Sequence, residues 1–451
     1  MGNPRSLPHT WRCFDCERQR NATGRQLSKS DGWVLQSETV TNPQNLANQV
    51  AEIAPKVPRF PSVLLVGASV RWAAQSAAGR HRVIGMDLFG DQDTIAACDR
   101  FQKITLDEQA DPAKLESAIS KLARDEQATI FRVGGLGCQS VFAPDDLASI
   151  ARAAGFLFPE TYSRCEFKRS GLASRQQGCR WLVKQSGSTG GLGVSFYPAT
   201  SLAAISPTAH IQRWIPGQPY GVVAMANRGR VKILGITRSI PVRCGGLPFV
   251  YAGSRTTMHH AIGEITRLQV LAETIAEQRD LSGLFNIDFI RDRQNRWWLL
   301  EVNERPSASC EIIERAARSD VRSIDSPSLI TMHIDSVLNT NSVHAIESAI
   351  ASWDIQSASS DRIHLKRIVY SRRNGHVHLT DLKRAWDTKR VGSIATKRTT
   401  HKQLADYPTD NAPVKKGHPI ATVLIDSSQD SATVAKVMRR AVGQIQAAVT
   451  G

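Results

Sequence analysis

The chain has 451 residues, 41% of them hydrophobic and 22% charged, enough for two or three buried cores and ordinary for a globular protein. No apolar run approaches the roughly 20 residues of a membrane-spanning helix, and the opening MGNPRSLPHTWRC lacks a signal peptide's apolar stretch, so a cytoplasmic protein is expected. A net charge of +16 raises nucleic-acid binding, but the most basic stretch, residues 361–402, has only Tyr370 and Trp386 as aromatics and so no stacking platform.

Residues 1–61 mix polar residues with Pro43, Pro55, Pro58 and Pro61 and read as an extension and linker. Cys13 and Cys16 form one CxxC there, with His9 before it, but no second CxxC or close His pair completes a structural zinc site. The other cysteines are dispersed, which excludes a disulfide framework.

From Ser62, SVLLVG is a continuous apolar run of the kind buried in parallel sheets. A helical stretch over 71–78, the strand RVIGMDLF, a helix, the strand FQKITL, a helix over 112–124 and the strand TIFRV follow. This alternation predicts a doubly wound α/β domain over 62–158. Residues 156–178 read as irregular and polar. RWLVKQ and GVSFYPA are strands joined by a glycine-rich loop, followed by strands HIQRWI, YGVVAMA and RVKILGITRS, a helix over 259–279, and the pair LFNIDFI and WWLLEVN. That pattern predicts an antiparallel α+β domain over 159–335. Residues 329–350 look helical, and 336–451 hold the strands LKRIVYS and ATVLID and a closing helix, a small C-terminal β-rich module.

The segment richest in chemistry is FNIDFIRDRQNRWWLLEVNERP, residues 285–306. As a hairpin turning at Asp292–Asn295 it sets residue 288 opposite 299 and 286 opposite 301. Alternation then puts Asp288, Glu301 and Asn303 on one face, and Phe285, Ile287, Phe289, Trp298, Leu300 and Val302 on the other. Three oxygen donors together suit magnesium, which takes one or two carboxylates plus phosphate oxygens. Glu301 could bridge two ions, with Asp288 and Asn303 each serving one. A strand pair whose wet face happens to be acidic would read the same way. Arg305 adds a cation where a transferring phosphoryl group needs one.

The second segment is LVKQSGSTGGLGV, residues 182–194. Gly187, Gly190, Gly191 and Gly193, in the loop 186–193, let backbone N–H groups approach phosphate oxygens, and Lys184 ends the preceding strand. A flexible hairpin tip would look alike, and no GKS or GKT leads into a helix as in a Walker loop. VLLVGASVR lacks the glycine trio of a dinucleotide fold, although Asp87 follows Gly67 at the spacing of a ribose-binding acid.

Together these segments resemble the ATP-grasp superfamily, and more narrowly its branch of predicted ATP-dependent carboxylate-amine ligases related to biotin carboxylase. VLLVGASVRWAAQSAAGRHRVIGMDLFGDQDT resembles the opening strand–turn–helix of that branch, and CRWLVKQSGSTGGLGV its lysine strand and phosphate loop. IQRWIPG resembles the segment that cups adenine, while FVYAGS, GLFNIDFI and LLEVNERPSASCEIIERA resemble those that complete the metal site. HLKRIVYS and APVKKGHPIATVL are similar to the C-terminal module, so the resemblance spans residues 62–445.

It implies a pre-ATP-grasp domain over 62–158 and an ATP-grasp domain over 159–335 with its metal-binding hairpin at 285–303. ATP and magnesium, as two ions that manganese could replace, are the implied cofactors. Lys184 would hold an ATP phosphate under the glycine loop, and Gln212, Trp214 and Ile215 would meet adenine. Asp288, Glu301 and Asn303 would bind the metals, and Arg305 would steady an acyl phosphate; Lys184 and Arg305 are the catalytic pair. Arg71 and a turn at Ala252–Ser254 would face the acceptor.

The sequence departs from the family at 156–178, which is short, at GQPYGV, which lacks an acid for the ribose, and near Gly137, where the branch often has Glu. The expected partners are small-molecule carboxylate and amine substrates, with a homodimer open and neither membrane nor nucleic acid expected. The implied reaction is carboxylate–amine ligation through an acyl phosphate, in coenzyme biosynthesis. A kinase of the same fold, or an inactive relative binding nucleic acid through its basic C-terminal region, stays open.

Overall fold

The structure is a computed structural model that describes residues 61–136, 142–172, 179–197, 205–257, 260–318, 328–339, 362–387 and 400–451, with 348 and 353. The Cys13–Cys16 pair and Gly137 lie outside these residues.

β1 (Ser62–Val66), α1 (Arg71–Ala77), β2 (Arg82–Asp87), α2 (Gln92–Ala96), β3 (Arg100–Lys103), α3 (Leu106–Ala110), α4 (Pro112–Asp125) and β4 (Thr129–Arg132) alternate as expected. The strands pair in parallel in the order β3-β2-β1-β4. The unbroken apolar run of β1 serves both faces. Val63 and Leu65 meet Ala73, Ala74 and Ala77 of α1, and Leu64 and Val66 meet Leu115, Ile119 and Leu122 of α4. Asp111 caps α4 by accepting the backbone N–H groups of Ala113 and Lys114, and Pro112 fits the first turn, where no N–H is needed.

After α5 (Pro144–Ala153), the stretch expected to be irregular contains β5 (Thr161–Ser163) and α6 (Arg164–Arg169). Ser163 and Glu166 close a reciprocal capping box at the start of α6, and Phe167 is fully buried. β6 (Trp181–Lys184), β7 (Val194–Phe196) and β8 (His210–Arg213) join β5 in a small antiparallel sheet ordered β5-β8-β6-β7. Trp181, Val183 and Ile211 pack with Phe167 on one face of it.

β9 (Gly217–Asn227), β10 (Arg230–Cys244), β11 (Leu247–Thr256), α7 (Ile262–Arg279), β12 (Gly283–Asp292), β13 (Trp297–Asn303), α8 (Cys310–Arg318) and α9 (Leu329–Leu338) follow. Within this run, Ala252–Ser254 is an interior piece of β11 rather than a turn, and the helix expected to reach 350 is described only to Leu338. The C-terminal segment contributes β14 (Ile363–Tyr370), β15 (Gly375–Val377), α10 (Leu379–Asp387), β16 (Thr400–Ala405), β17 (Ala412–Val414), β18 (Pro419–Ser427), α11 (Ser431–Ala447) and β19 (Val449–Thr450). β14, β18 and β16 extend the central sheet, ordered β13-β12-β9-β10-β11-β14-β18-β16, while β17, β15 and β19 make a separate ribbon.

Each face of the central sheet has its own partner. Val222, Ala224, Ala226, Phe285, Ile287 and Phe289 pack on Leu268, Leu271 and Ile275 of α7. On the other face Val223, Met225 and Leu284 pack on Ile313 of α8 and Leu329 and Met332 of α9. Farther along that same face, alternation brings Gly221, Thr237, Asn286 and Asp288, so an apolar, covered surface gives way to a polar one. No described helix is long and apolar enough to cross a membrane.

Candidate functional site

The β12–β13 hairpin turns one residue later than its sequence suggests. Asp292 pairs with Arg296 around a three-residue loop, Asn295 takes a left-handed φ of +60°, and Asp292 Oδ1 accepts the N–H groups of Gln294 and Arg296 at 2.9 Å. Phe289 therefore lies opposite Leu299, and Ile290 opposite Trp298. A bulge then inserts Leu300, so that Asp288 faces Glu301, not residue 299, and Asn286 faces Asn303, not residue 301. The two one-residue shifts cancel in parity. Asp288, Glu301 and Asn303 still share a face, but the apolar partners on β13 are Trp297, Leu299 and Val302 rather than Trp298 and Leu300.

Asn303 Nδ2 donates to Asp288 Oδ2 at 2.9 Å and to Glu301 Oε1 at 3.3 Å. Asn286 Nδ2 donates to the other Asp288 oxygen at 2.7 Å and is itself fixed by the Ser307 hydroxyl at 3.1 Å. The sequence reading missed Asn286, although it lies two residues before Asp288 and so on the same face of the strand. Burial, and then the neighbouring Glu301 carboxylate, push the Asp288 pKa well above the usual carboxylate range. Two carboxylates set this close are an arrangement a cation relieves, and with Asn303 beside them the donor set fits a hard divalent ion. The Arg305 Nε–H donates to the Gly134 carbonyl, and its charge acts against the rise at Asp288.

The small sheet faces this surface. Pairing of β6 with β7 and β8 sets Lys184 opposite Val194 and His210, and Leu182 opposite Phe196 and Gln212, so these side chains share the face away from Phe167. Burial lowers the Lys184 pKa, and the nearby Glu301 and Asp288 carboxylates oppose that shift. The ammonium therefore lies within electrostatic reach of the hairpin's carboxylates.

Gln212 is buried, its Nε2 donating to the Thr161 hydroxyl at 3.0 Å. Trp214 sets its ring edge-on to Phe196 with centroids 5.6 Å apart, and the Arg180 guanidinium lies 3.6 Å from the Phe196 centroid. Ile215 is buried beside them in sequence.

The glycine loop is seated rather than free-standing. Gly187, Gly190 and Gly191 have φ of +74°, +60° and +77°. A Cβ at Gly191 would lie 2.0 Å from the Phe249 carbonyl oxygen, and the Gly190 carbonyl accepts the Tyr251 N–H at 2.8 Å. Thr189 occupies the space a Cβ on Gly135 would fill, so the loop also touches the segment after β4.

Arg71, expected at the acceptor, is 1% exposed and fully engaged. Its Nε donates to Asp406 at 2.7 Å, one terminal nitrogen to Gln75 at 2.9 Å and the other to Glu311 at 2.7 Å. Glu311 also accepts from Lys366 Nζ at 2.7 Å. Burial works to raise the pKa values of Asp406 and Glu311, yet Arg71, followed by Lys366, holds both below the usual range. The sequence reading singled out none of Glu311, Lys366 and Asp406, which come together from segments far apart in the chain.

Residues 147–309 match the family model of the ATP-grasp domain. No curated protein sequence matches the chain. Among solved structures, the L-amino acid ligase of Bacillus licheniformis is 12% identical, with a TM-score of 0.54 and coverage of 85% of this chain and 97% of that one. The Staphylococcus aureus N5-carboxyaminoimidazole synthetase complexed with ADP is 11% identical, with a TM-score of 0.54 and coverage of 85% and 98%. The biotin carboxylase domain dimer of Hydrogenobacter thermophilus 2-oxoglutarate carboxylase, solved with MgADP and bicarbonate, is 9% identical, with a TM-score of 0.54 and coverage of 84% and 89%. Likeness at these identities is a likeness of fold. The match itself identifies an ATP-grasp domain over residues 147–309.

Proposed function

We propose that the protein is a magnesium- and ATP-dependent ligase that joins a carboxylate to an amine through an acyl phosphate, in the branch related to biotin carboxylase. The observation that carries this reading is that Lys184, at the end of the strand leading into the glycine loop, lies within electrostatic reach of Asp288 and Glu301, both of which accept from Asn303. In this reading Lys184 and the backbone N–H groups of Gly187, Gly190, Gly191 and Gly193 hold the phosphates, and the segment Gln212–Ile215 lines the adenine end. Asp288, Glu301 and Asn303 hold magnesium, which when bound neutralises charge on the moving phosphoryl group. Arg305 lies beside Asp288 and stabilises the acyl phosphate. The carboxylate oxygen attacks the γ-phosphorus and ADP leaves. The amine nitrogen then attacks the carbonyl carbon, and phosphate departs with the former carboxylate oxygen. The family resemblance suggests coenzyme biosynthesis as the setting.

Hydroxylamine can take the place of the amine. With Mg-ATP and a pool of carboxylic acids it is expected to give a hydroxamate in step with ADP, because only an activated carbonyl is intercepted this way. ADP accompanied by a stable phosphorylated alcohol and no hydroxamate would make the protein a kinase. Lys184→Ala is expected to leave the melting temperature of the free protein unchanged and to remove most of its stabilisation by Mg-ATP. That stabilisation is about 2.7 kcal/mol at a hundredfold excess over Kd. Equal nucleotide stabilisation in variant and wild type would remove Lys184 from the phosphate site.

A further inference from the structure

The face of the central sheet opposite to that of Asp288 is apolar where helices cover it. α7 packs on β12, β9 and β10 through Phe289, Val222 and Ile236, and α11 packs on β14 and β18 through Leu365, Val369 and Val423. β11 runs between β10 and β14, and none of its residues enters either core. In this middle stretch the alternation that elsewhere brings apolar side chains to the face brings arginines. Arg238 stands between Ile236 and Ile240 on β10, and Arg367 between Leu365 and Val369 on β14. Arg255 occupies the same face of β11, directly opposite Arg238.

Register fixes how near the three come. Arg238 and Arg255 form a cross-strand pair, with Cβ atoms roughly 5 Å apart, and Arg367, opposite Gly253, is the diagonal neighbour of Arg255 at roughly 7–8 Å. Like charges set directly opposite are destabilising. Arg238 donates to the Gln218 side chain. The Arg255 and Arg367 side chains make no hydrogen bond or ion pair among the described residues, although each is only partly exposed. Arg291, on the same face of β12, is by contrast paired with Glu264 at 3.0 Å.

Burial lowers the pKa values of Arg255 and Arg367, and the Arg238 charge adds to the shift at Arg255. Among the described residues no carboxylate acts on either. The adjoining helix α11 supplies none, since its charged residues are Lys436, Arg439 and Arg440. A guanidinium does not escape by losing its proton, so these charges stay half-desolvated and without a counter-charge. A bound anion would remove that cost.

We propose that Arg238, Arg255 and Arg367 form a binding site for a compact anion carrying at least two negative charges, a phosphate ester or a di- or tricarboxylate. Planar guanidinium forks bind carboxylate and phosphate oxygens in pairs. Three of them within one cross-strand step and one diagonal step match a compact anion better than an extended polyanion. The site lies on the other face of the sheet from Lys184's carboxylate neighbours, and the chain neighbours Thr237, Ser254 and Lys366 turn toward that other face. Neither magnesium nor ATP is needed for such binding.

Tricarballylate and pyrophosphate, each compared with acetate at constant ionic strength and without magnesium or ATP, test the site through the melting temperature. At least one of the two is expected to stabilise the wild-type protein while acetate does not. An effect of tricarballylate alone would make the ligand a polycarboxylate, and of pyrophosphate alone a phosphate compound. Arg255→Gln and Arg367→Gln are each expected to weaken that binding at least about tenfold. Lys121→Gln, which removes an equal charge from the exposed side of α4, is expected to leave it unchanged. Without any anion, Arg255→Gln is expected to melt no lower than the wild type, because it relieves the repulsion from Arg238. Lys184→Ala is expected to keep the stabilisation, since the phosphate loop is a separate place. Stabilisation by neither anion, undiminished binding in both arginine variants, or equal weakening by Lys121→Gln would overturn the site. So would loss of the effect in Lys184→Ala, which would put the anion at the glycine loop. A free Arg255→Gln protein melting more than about two degrees below the wild type would also overturn it, by showing that Arg255 already has a partner.

Discussion

Glu301→Gln is expected to lower ADP formation at least about 100-fold, a loss typical of removing a group that stabilises charge in the transition state. Glutamine keeps the size of the side chain and its contact with Asn303, 3.3 Å away in the wild type, but removes the charge directly opposite Asp288. The fold should be indifferent to the change, because Glu301 is exposed and the hairpin is held by Phe289, Trp297, Leu299 and Val302 beneath it. Circular dichroism and the melting temperature are therefore expected to match the wild type while both ADP and hydroxamate disappear. The Asp288 carboxyl should also titrate at lower pH, since the Glu301 carboxylate is the main cause of its upward shift after burial. ADP formation within threefold of the wild-type rate would exclude Glu301 from the phosphoryl-transfer site.

Glu311→Ala should act on stability instead. Glu311 is 2% exposed and joins Arg71 to Lys366 through two contacts of 2.7 Å. Truncation would leave Lys366 as a buried ammonium without that carboxylate and take one of the two carboxylates from Arg71. Breaking a buried pair by removing one partner costs about 3–5 kcal/mol, much of it from the uncompensated charge. A cost of that size corresponds to a fall in melting temperature of about 3–6 degrees in a protein this large. Differential scanning calorimetry checks it, and a fall under about two degrees would show that the network adds little to stability. Since α8 carries Glu311, β14 carries Lys366 and the segment after β16 carries Asp406, the loss should loosen the C-terminal strands against the parallel sheet.

The parallel sheet was legible because SVLLVG is apolar without a break, a pattern that fits a strand covered on both faces. The polar face of the hairpin was legible for a similar reason, since alternation survives any even slip in register. The odd slips were not. Neither the three-residue turn ending at the left-handed Asn295 nor the bulge at Leu300 leaves a composition signal, and only their cancellation kept Asp288, Glu301 and Asn303 together. The missed helix α6 did carry a signal, the S-x-x-E capping box from Ser163 to Glu166, in a stretch that otherwise read as polar loop. The Arg71–Asp406 pair had none, because its partners lie 335 positions apart and meet only through the packing of two sheets.

Diffraction from crystals grown with manganese and a non-hydrolysable ATP analogue addresses the ATP site most directly, because anomalous scattering locates each ion independently of the protein atoms. Two peaks are expected within about 2.2 Å of the Glu301 carboxylate, one shared with Asp288 and the other with Asn303. Lys184 should then contact a phosphate oxygen from the side opposite the hairpin. Nucleotide density with manganese peaks away from Glu301, or a triphosphate that does not lie between Lys184 and the hairpin, would contradict it.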